Sequence, residues 1–212
     1  MKIEKLVQHW EPELPLLCCP KCGAEFTLES GQLRCQSGHC YDLSAKGYVN
    51  LAPNHDQKKE KYDAALFEAR SRIFADGFYR PVLDTVAGML TRRFGERSFT
   101  LADVGCGEGY YCAELARRFP SSAFFGVDLS RDGIQRAARN REACWMVADL
   151  KHLPFAPGGM DVVLDVLTPA DYQAFSSVLG ESGVLIKVIP GADYLKEVRN
   201  LFRDRLRNPD YD

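Results

Sequence analysis

Two hydrophobic patterns divide the chain. From Thr100 onward, short apolar runs alternate with stretches whose apolar residues recur at helical spacing. The predicted strands are 99–105, 123–130, 144–149, 160–167 and 183–190, and the predicted helices are 110–119, 131–140 and 169–180. Strands that alternate with helices predict an α/β, Rossmann-like fold with a mostly parallel, doubly wound sheet and right-handed crossovers.

The pattern before Thr100 is less regular. Residues 2–10 have helical spacing, and residues 62–94 predict two helical pieces broken near Gly77 and Pro81. Between them lies a stretch rich in Cys and Gly, which predicts a small zinc-ribbon-like β module. The resulting domain prediction is an N-terminal helical arm at 1–17, a zinc-binding module at 18–52, a linker and helical connector at 53–97, and the sheet domain at 98–212.

Composition excludes some classes of protein. The 212 residues carry 27 Lys and Arg against 29 Asp and Glu, a net charge of −2, so no global basic field indicates a nucleic-acid partner. Residues 1–17 contain no apolar core of a signal peptide, and the longest apolar runs are shorter than the ~20 residues that span a bilayer. We therefore expect a cytoplasmic protein without a membrane partner, in which grouped cysteines bind metal rather than form disulfides.

Four metal-ligand residues stand at a characteristic spacing. Cys19 and Cys22 form a Cys-x-x-Cys pair, and twelve residues later Cys35 is followed by His39. Three thiolates and an imidazole suit a tetrahedral zinc ion, and four protein ligands leave no open position, so the site is predicted to be structural. Cys40 is an alternative to His39, and free buried cysteines in a small β unit are the alternative to a metal site.

A glycine loop follows the first predicted strand of the sheet domain. Its glycines, at 105, 107 and 109, allow a tight turn and close approach of a ligand to the backbone. Asp128 ends the next strand, where an acidic side chain can accept hydrogen bonds from ribose hydroxyls. The third glycine comes one residue early for a dinucleotide, and Glu108 would repel a pyrophosphate. This disfavours a nicotinamide-linked oxidoreductase and favours a cationic cofactor, S-adenosylmethionine.

Further candidates lie at the same edge of the predicted sheet. Asp149 ends the third strand, where it can accept a hydrogen bond from an adenine amino group. Ligands of open α/β sheets bind at the carboxyl ends of the strands. The alternative is an α/β domain without a cofactor. The predicted cofactor-binding residues are Asp103, Gly105, Cys106, Gly107, Glu108, Gly109, Asp128, Leu129, Asp149 and Leu150.

The two sites together resemble one family, the 23S rRNA guanine-N-1 methyltransferases, which join a zinc module to a class I methyltransferase domain. The matching motifs are CPKCG (19–23), GYVNLAP (47–53), EARSRIFADGFYRP (68–81) and DVGCGEGYY (103–111). The resemblance implies that Cys19, Cys22, Cys35 and His39 are the zinc ligands. It also implies cofactor contacts from Tyr79 and from Tyr194, where some relatives have His, and methyl transfer to a guanine ring nitrogen (N-1) in an RNA hairpin.

The end of the chain departs from this class of fold. Class I methyltransferases usually complete the sheet with two further strands, but only 22 residues follow Pro190, and residues 194–207 predict a basic amphipathic helix. We therefore expect a methyltransferase domain that is incomplete at its C-terminus. Because an incomplete sheet exposes an edge strand, we also expect aggregation or pairing with a second copy, as in a homodimer.

The catalytic and RNA-binding residues are less constrained by the sequence. Asp165, at the end of the fourth strand, is the candidate general base for the guanine proton, with a strand-end hydrogen-bond acceptor as the alternative. Competing functions are a methyltransferase for a small molecule or protein, and a non-catalytic RNA-binding protein that retains the cofactor fold. Basic residues that either contact RNA phosphates or form solvated helix faces are Lys58, Lys59, Lys61, Arg70, Arg72, Arg80, Arg131, Arg136, Arg139 and Arg141.

Overall fold

A computed structural model describes residues 3–55 and 64–206. The α-helices in these ranges are α1 (Ile3–Trp10), α2 (Ala64–Ala75), α3 (Arg80–Phe94), α4 (Tyr110–Arg118), α5 (Arg131–Ala137), α6 (Tyr172–Val178) and α7 (Lys196–Leu201). The strands are β1 (Phe26–Glu29), β2 (Gln32–Cys35), β3 (Cys40–Asp42), β4 (Tyr48–Asn50), β5 (Thr100–Val104), β6 (Ala123–Asp128), β7 (Cys144–Val147), β8 (Met160–Val166) and β9 (Leu179–Val188).

Six strands form one parallel sheet in the order β4-β7-β6-β5-β8-β9. The central strands β5 and β6 are apolar and buried on both faces, as strands covered by helices must be. Asp103 of β5 lies opposite Gly126, and Asp128 of β6 lies opposite Val147. The predicted parallel α/β fold is confirmed, and the acidic residues that end β5 and β6 share its carboxyl edge.

The N-terminal module is a three-stranded antiparallel sheet in the order β1-β2-β3. Ser30 and Gly31 join β1 to β2, both with positive φ (51° and 78°), as a two-residue hairpin requires. The sequence predicted that the zinc-binding module extends to residue 52. In the structure β4, which lies before that boundary, belongs to the large sheet. Val49 is fully buried there beside β7, so burial in the larger core outweighs its proximity in sequence to the module.

The module and the large sheet share a hydrophobic core. Trp10 and Leu33 from the N-terminal segment belong to the same buried cluster as Phe125, Met146 and Phe155 of the sheet domain. The small N-terminal module can bury little apolar surface by itself, and packing on the large sheet therefore stabilises it. The module is therefore physically continuous with the domain that follows it.

Differences from the predicted elements lie near the C-terminal end of the described chain. Strand β9 begins at Leu179, where a helix was predicted to continue, because Leu179 pairs with Met160 across an irregularity in register. Helix α7 is much shorter than the predicted 194–207, and none of its residues is buried. Without burial, a short helix has little to stabilise it.

Some predictions concern residues outside the described ranges. They include most of the polar linker, with Lys58, Lys59 and Lys61, and the last residue of the predicted helix 194–207. Among the helices that are described, none has the length and apolar character needed to cross a membrane. Strand β9 is an edge of the large sheet, and the homodimer that we expected on that ground stays a prediction.

Candidate cofactor cavity and metal centre

The fold brings the four predicted metal ligands together. The donor atoms of Cys19, Cys22, Cys35 and His39 all lie within 4.8 Å of one another. The Cys35 Sγ is 3.4 Å from His39 Nδ1, the Cys19 Sγ is 3.5 Å from the same atom, and the Cys22 and Cys35 sulfurs are 3.6 Å apart. A tetrahedral zinc with arms of ~2.0–2.3 Å requires donor separations of roughly 3.4–3.8 Å. The residues therefore fit a zinc ion.

Backbone turns hold this Cys₃His cluster in place. The N–H groups of Cys22 and Gly23 both donate to the Cys19 carbonyl, which closes the first turn, and the Gly38 N–H donates to the Cys35 carbonyl to close the second. A hydrogen bond from the Ser37 hydroxyl is the main cause that lowers the pKa of the Cys22 thiol to about 6. A thiol that ionises readily is suited to metal ligation.

The two neighbouring cysteines lie outside the cluster. The Cys18 Sγ donates to the Phe155 carbonyl, and burial raises the pKa of this thiol to about 11, so it is a packed, neutral side chain. The Cys40 thiol is exposed and faces the Gly38 carbonyl. His39, and not the alternative Cys40, therefore supplies the fourth donor.

The glycine loop lies between β5 and α4 in the conformation that its sequence predicts. Gly105, Gly107 and Gly109 have φ values of 77°, 56° and 78°, which residues with side chains rarely adopt. A Cβ on Gly109 would lie 2.5 Å from the Trp145 ring, and one on Gly105 would lie 2.6 Å from Thr168. The loop therefore needs glycine both for its backbone conformation and for space.

Two aspartates organise this loop. The carboxylate of Asp128 accepts hydrogen bonds of 2.7 Å from the N–H groups of Gly107 and Ser130, which joins the glycine loop to the end of β6. The buried carboxyl of Asp103 accepts a hydrogen bond from the Cys112 N–H in the first turn of α4. Burial raises the pKa of Asp103 to about 7, with smaller contributions in the same direction from Asp128 and Asp165.

A cavity of about 300 Å³ opens at the carboxyl edge of the sheet beside this loop. Five predicted cofactor-binding residues line it: Tyr79, Gly105, Gly107, Asp128 and Tyr194. The Tyr79 and Tyr194 hydroxyls lie 2.5 Å apart and join the start of α3 to the segment after β9 at one side of the cavity. The cavity is thus built from segments far apart in sequence.

Other predicted cofactor residues are near the cavity but do not line it. Glu108 points toward α2, where it accepts a hydrogen bond from Ser71. Asp149 accepts from the Lys151 N–H in the turn after β7, at the adjacent strand end. The remaining predicted residues outside the cavity wall are Asp103, Cys106, Gly109, Leu129 and Leu150.

Helix α2 supplies cavity residues that sequence reasoning missed. Phe67, Arg70, Ile73 and Phe74 line the side of the cavity that faces the glycine loop. The helical spacing of their apolar residues predicted a helix here. However, α2 lies outside the alternating strands and helices of the sheet domain, so the sequence did not predict where on the sheet α2 packs. The other lining residues outside the predicted cofactor-binding set are Tyr111, Ser130, Val166, Leu167 and Thr168.

The composition of the cavity fits S-adenosylmethionine. The aromatic rings and Ile73 offer apolar surface, Asp128 offers a carboxylate, and Arg70 offers a guanidinium. The Tyr111 hydroxyl is buried at the cavity and has no hydrogen-bond partner within the described residues. A buried hydroxyl without a partner is costly and is expected to bond to a ligand.

The predicted base, Asp165, lies behind the cavity rather than in its wall. Its carboxylate is fully buried and forms a 2.7 Å ion pair with Lys187 of the neighbouring strand, and the same ammonium donates to the Thr168 carbonyl. Burial raises the pKa of Asp165, and Lys187 acts in the opposite direction. These contacts fit the alternative strand-end role, since they tie the Leu167–Thr168 turn to β9.

Two family models match the two parts of the chain that carry these sites. The family model "RlmA, N-terminal" matches residues 17–61, and the model "Methyltransferase domain" matches residues 101–181. A methyltransferase from Methanococcus maripaludis, described as S-adenosyl-L-methionine-dependent, has a similar structure with a TM-score of 0.54. It is 18% identical over 71% of this chain and 76% of its own, so it supports the fold alone.

Relatives of known name match across both domains. YxjB of Bacillus subtilis, named as a 23S rRNA (guanine-N(1)-)-methyltransferase, is 39% identical over 89% of this chain and 70% of its own length. The 23S rRNA (guanine(748)-N(1))-methyltransferase of Streptomyces fradiae is 30% identical over 86% of this chain and 66% of its own. The chain thus spans roughly two thirds of these relatives. It belongs to the 23S rRNA (guanine-N(1)-)-methyltransferase family.

Proposed function

We propose that this chain carries the cofactor-binding and zinc-binding parts of an enzyme that transfers a methyl group to N-1 of a guanine in a 23S rRNA hairpin. Two observations carry the proposal. A Cys₃His cluster lies in a module that shares a hydrophobic core with the sheet domain, and that domain bears a cavity built on a glycine loop and Asp128. Family membership favours RNA over a small molecule or protein as the methyl acceptor.

The cavity residues have distinct proposed roles toward the cofactor. Asp128 would accept hydrogen bonds from ribose hydroxyls, and the Arg70 guanidinium would pair with the carboxylate of the methionyl group. Phe74, Tyr79 and Tyr111 would exclude water around the sulfonium. When bound, S-adenosylmethionine supplies an activated methyl group.

The acceptor side of the cavity is proposed to lie at Leu167 and Thr168. Leu167 has a positive φ of 57°, an unusual conformation for leucine, and its side chain is exposed where it lines the cavity. The Lys187 ammonium, held by Asp165, fixes the Thr168 carbonyl at this turn. We therefore assign Asp165 the role of positioning the turn, and we expect catalysis to depend mainly on alignment of guanine and methyl group.

Label transfer tests this function. The protein is incubated with S-adenosylmethionine labelled in the methyl group and with unmodified, transcribed 23S rRNA, and the labelled nucleotide is mapped. We expect label at N-1 of one guanine. Label in protein or small molecules with none in RNA, from protein that retains zinc and binds the cofactor, would contradict the proposal.

An Asp128→Ala variant tests the cofactor site in the same assay. Loss of hydrogen bonds to a charged group costs about 1.5–3 kcal/mol, so cofactor affinity is expected to fall by about tenfold to a hundredfold. The exposed Asp76, which lies outside the cavity, provides a matched Asp76→Ala control with unchanged affinity. Equal affinity in both variants would remove Asp128 from the site.

A further inference from the structure

A second cavity, of about 380 Å³, is lined mainly by basic side chains. The protein as a whole is slightly acidic, with a net charge of −2, so this concentration of positive charge is local. Four basic residues face a single acidic one, and a glutamine completes the wall. The lining residues are Lys46, Asp132, Gln135, Arg136, Arg139 and Arg141.

Two parts of the fold build this basic cavity. Lys46 comes from the turn that precedes β4, whereas the other residues come from α5 and the segment after it. The Arg141 guanidinium donates to the Lys46 carbonyl at 2.8 Å, and the Lys46 ammonium donates to Gln135 at 2.7 Å. Lys46 and Arg141 are therefore connected to each other and to α5 by hydrogen bonds, which brings the basic turn before β4 against the basic residues of α5.

Gly47 makes this arrangement possible. Its φ is 96°, and a Cβ at this position would lie 1.6 Å from a terminal nitrogen of Arg141. Any side chain there would displace the guanidinium that crosses the turn. The close approach between the turn and Arg141 is thus a specific feature of the fold.

The basic cavity adjoins the cofactor cavity. The Arg136 guanidinium lies 5.7 Å from the centre of the Phe67 ring, and Phe67 lines the cofactor cavity. Gly133, one turn earlier in α5, is so close to the Gly107 carbonyl that an added Cβ would lie 2.8 Å from it. A polyanion bound in the basic cavity would therefore lie next to the side of the cofactor cavity that Phe67 and the glycine loop form.

We propose that this basic cavity binds the phosphate backbone of the RNA substrate and orients it toward the cofactor cavity. Guanidinium groups bind phosphate oxygens through paired hydrogen bonds, and several neighbouring cations can neutralise several phosphates of one nucleic-acid backbone. The Arg139 side chain makes no ion pair within residues 3–55 and 64–206, so it is available to a phosphate. The inference rests on the proposed function, because it takes RNA as the substrate.

Salt-dependent RNA binding tests the proposal in the intact, zinc-loaded protein. The test variant combines Lys46→Gln with Arg139→Gln. The control combines Lys5→Gln with Arg92→Gln, which removes the same charges from exposed helix positions that line neither cavity. The probe is transcribed 23S rRNA in a filter-binding assay between about 50 and 200 mM salt.

We expect the test variant to bind this RNA about tenfold more weakly than the control at about 100 mM salt. The slope of log affinity against log salt should decrease in magnitude by about 2, since two fewer phosphates are neutralised. Affinity for S-adenosylhomocysteine should not change, and Lys46→Arg with Arg139→Lys should retain RNA binding. Equal RNA affinity and salt slope in the test and control variants would overturn the proposal.

Failure of this inference can be told apart from failure of the proposed function. If the wild-type protein methylates RNA and the test variant has an unchanged KM for RNA, the basic cavity is not the RNA site although the function stands. If the wild-type protein places no methyl group on RNA, the proposed function fails, and the filter-binding comparison still decides whether the cavity binds an RNA backbone.

Discussion

The metal centre and the cofactor cavity are assembled in opposite ways. All four ligands of the metal centre lie within 21 consecutive positions, between Cys19 and His39, on two short turns. The cavity draws its wall from α2, the Tyr79 turn, the glycine loop and the segments that follow β6, β8 and β9. A site built from local turns can be read from spacing, whereas a site built from distant segments depends on how the whole domain packs.

We predict that the metal centre stabilises the sheet domain as well as its own module. Cys19 and Cys35, two of the ligands, belong to the same hydrophobic cluster as Phe125 and Met146 of the large sheet. Structural zinc provides apparent folding free energies of about 10–16 kcal/mol in zinc-finger peptides, and a shared core transmits part of that stabilisation. Loss of the metal should therefore loosen the sheet domain as well.

The largest expected effect is that of Cys22→Ser. We expect the variant to lose its zinc, measured by metal analysis, and its melting temperature to fall by at least about 10 °C, which corresponds to several kcal/mol in a chain of this size. Cys40→Ser is the matched control, because Cys40 is exposed and lies outside the cluster, and it should retain both zinc and melting temperature. A sheet domain that melts normally without zinc would mean that the two regions are energetically independent.

A smaller effect is expected in the glycine loop. Gly105 and Gly77 both have a φ of 77°, but of the two only Gly105 is placed so that a Cβ would overlap another side chain, that of Thr168. Gly77→Ala should cost only the conformational free energy of about 1–2 kcal/mol, whereas Gly105→Ala should cost about 1–3 kcal/mol more and weaken cofactor binding. Denaturant unfolding and calorimetric titration with S-adenosylhomocysteine measure the two quantities.

Because Gly105 and Gly77 have the same φ, the difference between the two alanine variants measures the contact with Thr168 alone. If Gly105→Ala and Gly77→Ala lose equal stability and both retain cofactor affinity, the Thr168 turn is not packed against the glycine loop as described. In that case, the cofactor cavity would depend less on packing between segments that are distant in sequence than we conclude above.

Particular residues show how far the sequence determined the fold and the sites. Spacing was sufficient to predict a metal cluster but left Cys40 open as an alternative to His39. Alternating hydrophobic runs were sufficient for the succession of strands β5 to β9 along the chain and for their parallel arrangement, but not for their order in the sheet. Periodicity could not assign β4 to the large sheet, because Val49 pairs with Met146, which lies 97 positions later in the chain. The same limit applies to Phe67 and Arg70, whose cavity contacts depend on where α2 docks.

The smallest expected effect is that of Asp165→Asn on the rate of methyl transfer. This variant tests whether a side chain must line the cavity in order to act as the general base. A general base contributes about 10²–10⁴-fold to the rate, and its loss removes the acid limb of the pH–rate profile. Because Asp165 is buried against Lys187 and does not line the cavity, Asp165→Asn should lower kcat less than about tenfold and leave that limb in place. Asp161→Asn, on the same strand, is the control. A lost acid limb would instead make Asp165 the base and show that buried side chains behind the cavity take part in methyl transfer.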